Sequence, residues 1–160
     1  MSNKNKEIID FLIKCEQIKN SPLYFNFINA KADNARFETD SNDKSLNKKF
    51  VDGSVAKQYS FTIIIYKSIS YNPMVKDEGY PDENEQELSE VQDLMDWINE
   101  QGYNNNFPDF GKDCVIDSMY TRTENPFLEG VNEEIQPPIA QYSATILIEY
   151  TDYSKCVWNN

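Results

Sequence analysis

The strongest constraint on the fold of this chain is a long alternating segment at residues 57–69. Large apolar side chains occupy every second position, and small or polar side chains and one more isoleucine fill the positions between. A period of two indicates a β-strand, and one face apolar with the other partly so predicts a strand in the centre of a sheet. The apolar face comprises Tyr59, Phe61, Ile63 and Ile65, and the other face carries Ser60, Thr62 and Ile64.

Residues 139–151 predict a second long strand, the last in the chain. Apolar side chains again recur at every second position, so they share one face of the sheet. This face comprises Ala140, Tyr142, Ala144, Ile146, Ile148 and Tyr150.

Two segments have the period of an amphipathic helix, residues 4–19 and residues 84–101. Asp82 is expected to cap the second helix and Gly102 to end it. The first apolar stripe comprises Ile8, Phe11, Leu12 and Cys15, widened by Ile9 and Ile13. The second comprises Leu88, Val91, Leu94, Met95 and Ile98, flanked by Trp97.

The remaining segments predict shorter elements. Strands are expected at residues 23–29, at 36–39 pairing back on the first, at 48–51 and at 113–122. Loops are expected at residues 40–47, at 71–83 and over the acidic, proline-containing stretch 124–138. Segregated helices and short connections predict an α+β fold, a mostly antiparallel sheet packed against two helices. With 160 residues, the whole chain, 1–160, is expected to be a single domain.

The acidic net charge of the chain makes two classes of binding partner, nucleic acids and anionic membranes, unfavourable. The net charge is −12, and Lys48-Lys49 is the densest short basic run. Specific binding to nucleic acid or to an anionic membrane is therefore not expected, because both need a basic surface. The polar N-terminus leads into an amphipathic pattern rather than a signal-peptide core, and the longest apolar run is Ile63 to Tyr66. We expect a soluble protein that stays in the cytoplasm where it is made.

No pattern in the sequence predicts catalysis, a cofactor or a metal. The chain has no histidine, and its three cysteines, Cys15, Cys114 and Cys156, are far apart and expected to be free thiols. No glycine-rich phosphate loop or nucleophile elbow is present. Two groups of carboxylates are expected to be solvated charges rather than acid–base pairs. These are Glu83, Glu85, Glu87 and Glu90 on the second helix, and Glu129, Glu133 and Glu134 in the acidic stretch.

Large apolar side chains inside the two longest predicted loops suggest contact with another subunit. The alternative is that these loops fold back onto their own domain. The candidate interface residues are Tyr71, Met74 and Tyr80 in the first loop, and Phe127, Leu128 and Ile135, with Val131 and Ile139, in or beside the second.

Residues 51–72 carry a more specific pattern. Asp52-Gly53-Ser54, followed by Gln58-Tyr59 and Phe61, introduces the long strand; a helix with Trp97-Ile98, the loop Phe107-Pro108 and two final strands follow. In this order the motifs resemble the tail terminator or minor capsid (tail completion) proteins of phages of Gram-positive bacteria and of phage-tail-like bacteriocins. The resemblance covers about residues 4–151. Residues 30–47 and 124–138 depart from the family pattern by their greater length. Lys57 is a mild change from the basic residue that the family has before Gln58.

The resemblance implies a non-catalytic virion protein. Such proteins form a ring of six subunits on the end of the tail tube, stop its polymerisation and offer a surface to the head connector or collar. In a contractile tail the ring also meets the last sheath ring. The expected location is the head-proximal end of a tail or tail-like particle. Two other interpretations remain open: a head–tail connector or other minor capsid protein, and, from a different class, an acidic DNA mimic that inhibits a host enzyme.

Overall fold

A computed structural model describes residues 4–19, 23–25, 35–39, 44–68, 83–132, 134 and 139–157. These residues form three helices and seven strands of one sheet. The helices are α1 (Lys4–Leu12), α2 (Glu16–Lys19) and α3 (Glu83–Tyr103). The strands are β1 (Leu23–Phe25), β2 (Ala35–Thr39), β3 (Lys44–Lys49), β4 (Val55–Ser68), β5 (Cys114–Thr121), β6 (Phe127–Asn132) and β7 (Ile139–Asp152).

The centre of the sheet is a ribbon made of the two long strands, β4 and β7. They pair antiparallel along their whole length, from Val55 opposite Asp152 to Ser68 opposite Ile139, with no shift in register. Each strand has 14 residues. The two strongest strand predictions are therefore confirmed, and β4 lies centrally as its two-sided pattern predicts.

Shorter strands line both sides of this ribbon. On the outer side of β4, β3 pairs with residues 55–58 and β2 with residues 61–65. On the outer side of β7, β5 pairs with residues 146–152 and β6 with residues 139–143. Every pair is antiparallel except β1 with β2, which confirms the predicted α+β fold with a mostly antiparallel sheet.

The helices cover one face of the ribbon and bury its predicted apolar side chains. Both helical stripes meet the strand faces in one continuous cluster, whose burial supplies the main driving force for folding. Phe11 and Trp97 join α1 to α3, with ring centroids 5.1 Å apart. The buried members include Ile8, Phe11 and Leu12 of α1, Val91, Leu94, Met95 and Ile98 of α3, and the series from Tyr59 to Ile65 and from Ala140 to Tyr150.

The first helix is shorter than the predicted span 4–19. The amides of Lys14 and Cys15 bond to carbonyls three residues back, at 3.2 and 3.0 Å, so the chain tightens between α1 and α2. Such a turn rotates more per residue than an α-helix does. Cys15 stays buried, but Ile13 faces solvent, which corrects its placement in the apolar stripe.

Three predictions for the edges of the sheet need correction. β2 does not fold back on β1 but runs parallel to it, because its other edge is held antiparallel on β4. Residues 44–47, predicted as loop, belong to β3, and residues 127–132 of the predicted acidic loop belong to β6. Both strands pair with the central ribbon through main-chain hydrogen bonds, which do not require an alternating side-chain pattern.

The end of α3 differs from its prediction as well. Gly102 lies within the helix, and Asn105 provides the left-handed residue, at φ 58°. The Asn106 amide bonds to the Gln101 carbonyl at 2.9 Å and the Asn105 amide to the Gly102 carbonyl at 3.2 Å. This is the bonding pattern of a Schellman cap, in which asparagine tolerates the positive φ.

Candidate interaction surface

The Asp52-Gly53-Ser54 turn connects β3 to β4 and packs on the C-terminal segment of the chain. The Asp52 carboxylate accepts hydrogen bonds from the Ser54 amide at 2.9 Å and the Ser54 hydroxyl at 2.6 Å, and Ser54 is buried. Gly53 has φ 90°, and a Cβ there would lie 2.5 Å from the Lys155 carbonyl oxygen. Only glycine meets both conditions without strain. These contacts give the turn a structural role.

Charged groups reinforce this end of the ribbon. The Lys57 ammonium lies 2.9 Å from the Asp152 carboxylate, and the Ser154 amide donates to the same carboxylate at 2.8 Å. Burial raises the pKa of Asp152, but the hydrogen bonds from Ser154 and Lys57 outweigh it and lower that pKa to about 2. Hydrogen bonds from Ser54 likewise lower the pKa of Asp52. Both carboxylates are therefore structural anions at neutral pH.

The other residues that carry the family resemblance lie in or beside the core. The Tyr59 ring meets Phe110 edge to face, with centroids 5.6 Å apart, and its hydroxyl donates to the Asn5 side chain. Phe61 is fully buried. Trp97 is half-buried against Phe11, and Gln58 is half-buried opposite Glu149 on β7. The contacts of Tyr59, Phe61 and Trp97 are therefore those of packing.

Strand β6 differs from β4, β5 and β7 because all six of its residues are exposed. Phe127 is 63% exposed and Leu128 49%, and Val131 is exposed too. Glu129 is an extra residue in the register between Leu128 and Gly130, and its carboxylate accepts a hydrogen bond from the Gln141 amide at 2.6 Å. Among the described strands, β6 pairs with β7 alone. Its apolar side chains are therefore available to a partner, and no other described strand occupies its second edge.

Sequence reasoning missed a second exposed apolar feature, at the tip of the β3–β4 hairpin. Phe50 is half-exposed and Val51 fully exposed, and the neighbouring Lys48 and Lys49 also face solvent. The Phe50 amide bonds to the Ser54 carbonyl at 2.9 Å, which fixes the tip as a tight turn. The signal was available in the sequence, since two large apolar residues immediately precede a predicted turn.

The carboxylates of α3 have separate surroundings. Glu90, half-exposed, pairs with the nearly buried ammonium of Lys67 on β4 at 2.6 Å. Asp93, Asp96 and Glu100 lie along a shallow open groove beside Trp97. No cluster of three or more cysteine, aspartate and glutamate side chains suited to a metal ion occurs among the residues that the structure describes.

The three cysteines are thiols, with Cys15 and Cys156 buried and Cys114 partly so. Burial is the main cause that raises the pKa of the Cys114 thiol. A raised pKa keeps a thiol protonated and less nucleophilic at neutral pH.

The other candidate interface residues, Tyr71, Met74, Tyr80 and Ile135, lie outside the described residues, as do Asp82 and Glu133. Ile139, predicted beside the interface, is buried in a small cluster with Ile64 and Tyr66. No helix in the described part of the chain is long and apolar enough to cross a membrane. No protein-family model matches the chain, and no curated protein matches it in sequence.

Proposed function

We propose that this chain is a non-catalytic structural subunit of a phage tail or tail-like particle, a tail terminator that assembles as a ring of six copies on the tail tube. The observation that carries the proposal is the exposed apolar edge strand β6. The motifs at residues 51–72 and 97–108 that resemble the terminator family support it from the sequence side.

An exposed apolar edge strand is unfavourable for a chain that works alone. Edge strands present unpaired main-chain groups, and soluble monomers usually protect them with charge, proline or covering segments. Here Phe127 and Leu128 are exposed on such a strand, while the ribbon beside it is almost completely buried. Contact with another subunit would cover these side chains and could pair with the edge of β6 that no other described strand occupies.

The proposed mechanism is steric. A ring bound to the open end of the tube occupies the surface that the next tube ring would use, so polymerisation stops. The opposite face of the ring would then receive the head connector or collar. A net charge of −12 suits a ring that DNA passes, because like charges oppose adhesion. None of these steps requires a nucleophile, a metal or a cofactor.

The test is the length of tails in negative-stain electron microscopy, comparing particles made with and without the gene for this chain. Loss of the chain is expected to give overlong or ragged tubes, and supplying it again should restore a single length. Tails of normal length that fail to join heads would replace the terminator with a head–tail connector. Unchanged particles would reject a structural role and favour the acidic DNA mimic.

A further inference from the structure

Two edges of the sheet carry apolar side chains together with opposite charges. We infer that copies of this chain join head to tail, the acidic edge of one copy against the basic edge of the next. We define the acidic edge as residues 124–132 and 134, including β6, and the basic edge as residues 44–51, including β3 and the hairpin tip. This inference rests on the proposed ring and specifies the contact that would build it.

The acidic edge combines apolar contact area with negative charge. Phe127, Leu128 and Val131 are exposed, as are Glu124, Glu129 and Glu134. No lysine or arginine occurs between Arg122 and Lys155 in the sequence, so this edge has no basic residue of its own to neutralise it. A second acidic edge placed against it would be repelled.

The basic edge has the complementary character. Its strand has the sequence KSLNKK, which holds three of the 15 basic residues of the chain in six positions. Lys48 and Lys49 are exposed, and Phe50 and Val51 beside them offer apolar contact. In a chain with 27 acidic residues, a basic patch with adjoining apolar side chains is the surface best suited to an acidic apolar strand.

The topology separates the two edges. β3 lies on the outer side of β4 at residues 55–58, and β6 lies on the outer side of β7 at residues 139–143, which face residues 64–68 of β4. The edges are therefore on opposite sides and at opposite ends of the central ribbon. One copy can use both at once, each with a different neighbour. Contacts between unlike surfaces form a closed ring when the rotation between neighbours closes.

Charge reversal on each edge provides the test. One variant carries Lys48→Glu with Lys49→Glu, and the other carries Glu124→Lys, Glu129→Lys and Glu134→Lys. The first has two acidic edges and the second two basic edges, so neither should associate with itself. In an equimolar mixture every contact joins an acidic edge to a basic one, and a ring of six can close with alternating variants.

Association is measured by analytical ultracentrifugation of the purified chains at low salt. We expect the wild-type chain to self-associate, each variant alone to associate at least about tenfold more weakly, and the mixture to recover to within about threefold of wild type. Association of the wild-type chain should also weaken as salt screens the contact. Circular dichroism and thermal melting check that each variant is folded.

Matched controls carry the same charge changes at exposed positions outside both edges, Lys14→Glu with Lys112→Glu for the first variant, and Glu16→Lys, Asp93→Lys and Glu100→Lys for the second. These controls should associate like wild type. The inference is overturned by a wild-type chain that stays monomeric, by reversals that act no more than their controls, or by a mixture that does not recover. If tails still become overlong without the gene, such results would reject this contact and leave the terminator proposal intact.

Discussion

Two positions in this chain require glycine because neighbouring backbone atoms leave no room for a Cβ. Gly53 combines a positive φ with close approach to the Lys155 carbonyl, and helical Gly102 allows α3 to touch β5. A Cβ on Gly102 would lie 2.0 Å from the Met119 carbonyl oxygen, inside van der Waals contact. The glycine in α3 therefore sets the distance between the helix and the sheet.

Replacing Gly102 with alanine should destabilise the fold despite the higher helix propensity of alanine. The propensity gain is about 1 kcal/mol, whereas the clash with backbone forces α3 away from β5, so we expect a net loss of about 2 kcal/mol or more. Urea unfolding followed by circular dichroism measures it. Gly130→Ala is the matched control, because a Cβ there meets no atom within 4 Å. Equal midpoints for the two variants would contradict this explanation.

Asp152 makes the stability of the fold depend on acid. Its pKa falls from 3.8 to about 2 on folding, so its stabilisation is complete above pH of about 4 and is lost as the pH falls through about 2. Because solvent screens part of this interaction, Asp152→Asn should cost about 1 kcal/mol at pH 7, and the difference from wild type should shrink towards pH 2. Urea unfolding over that pH range tests this. Asp93→Asn, on the exposed face of α3, is the control and should give a much smaller change at pH 7.

At the scale of elements, periodicity predicted the structures that have one buried face. The β4 and β7 alternation and the stripe of α3 were recognisable because burial selects apolar residues at a fixed spacing. Residues 44–47 of β3 and the whole of β6 are predicted as loop because their sequences have no alternating pattern. Main-chain pairing to the ribbon leaves no such signature. The sequence does not predict the break after α1 either. Cys15 is buried in the observed structure, as it would be in a continuous helix, so its apolar position does not distinguish the two.

The candidate surface was only partly predictable. Phe127 and Leu128 were identified because large apolar residues in a polar stretch are unusual, and both are exposed. The sequence does not predict the basic edge, because Lys48 and Lys49 form only a short basic run, too small to indicate a nucleic-acid-binding surface. Their meaning depends on the sheet topology, which places them on the side of the ribbon opposite β6. Strand order of this kind is a long-range property that local sequence patterns do not encode.

An ion pair joins the central strand to the long helix, and its two members should respond differently to mutation. Lys67 is nearly buried, whereas Glu90 is half-exposed. Glu90→Gln removes a carboxylate partner of the nearly buried Lys67 ammonium, so it should lower the free energy of unfolding by about 1–2 kcal/mol. Glu100→Gln, on the exposed face of α3, should change it by almost nothing. Adding Lys67→Met should recover most of that loss, because the buried charge is removed as well. Chemical unfolding of the wild type, the two single variants and the double variant tests this. A double variant that is less stable than Glu90→Gln would contradict it.

For the whole molecule, stability and assembly reside in different parts of the sheet. The central ribbon and the helices bury a continuous core, and the exposed apolar residues of the two proposed edges lie at the margins of the sheet, on β6 and on the hairpin tip. Substitutions in the ribbon should therefore reduce folding and assembly together. Substitutions at the margins should separate the two, because their side chains contribute little to the core of a single copy.

Phe127→Ser is the sharpest test of this separation. The ring is 63% exposed in the single chain, so its loss should change the free energy of unfolding by less than about 1 kcal/mol. An apolar side chain covered in an interface contributes far more, and we expect association to weaken by about tenfold or more and tails to become overlong. Val115→Ser, an exposed apolar residue on β5 outside both edges, is the control and should leave association unchanged. A Phe127→Ser chain that is much less stable than wild type would show that this ring stabilises the single chain. One that assembles normally would show that Phe127 is not part of the interface.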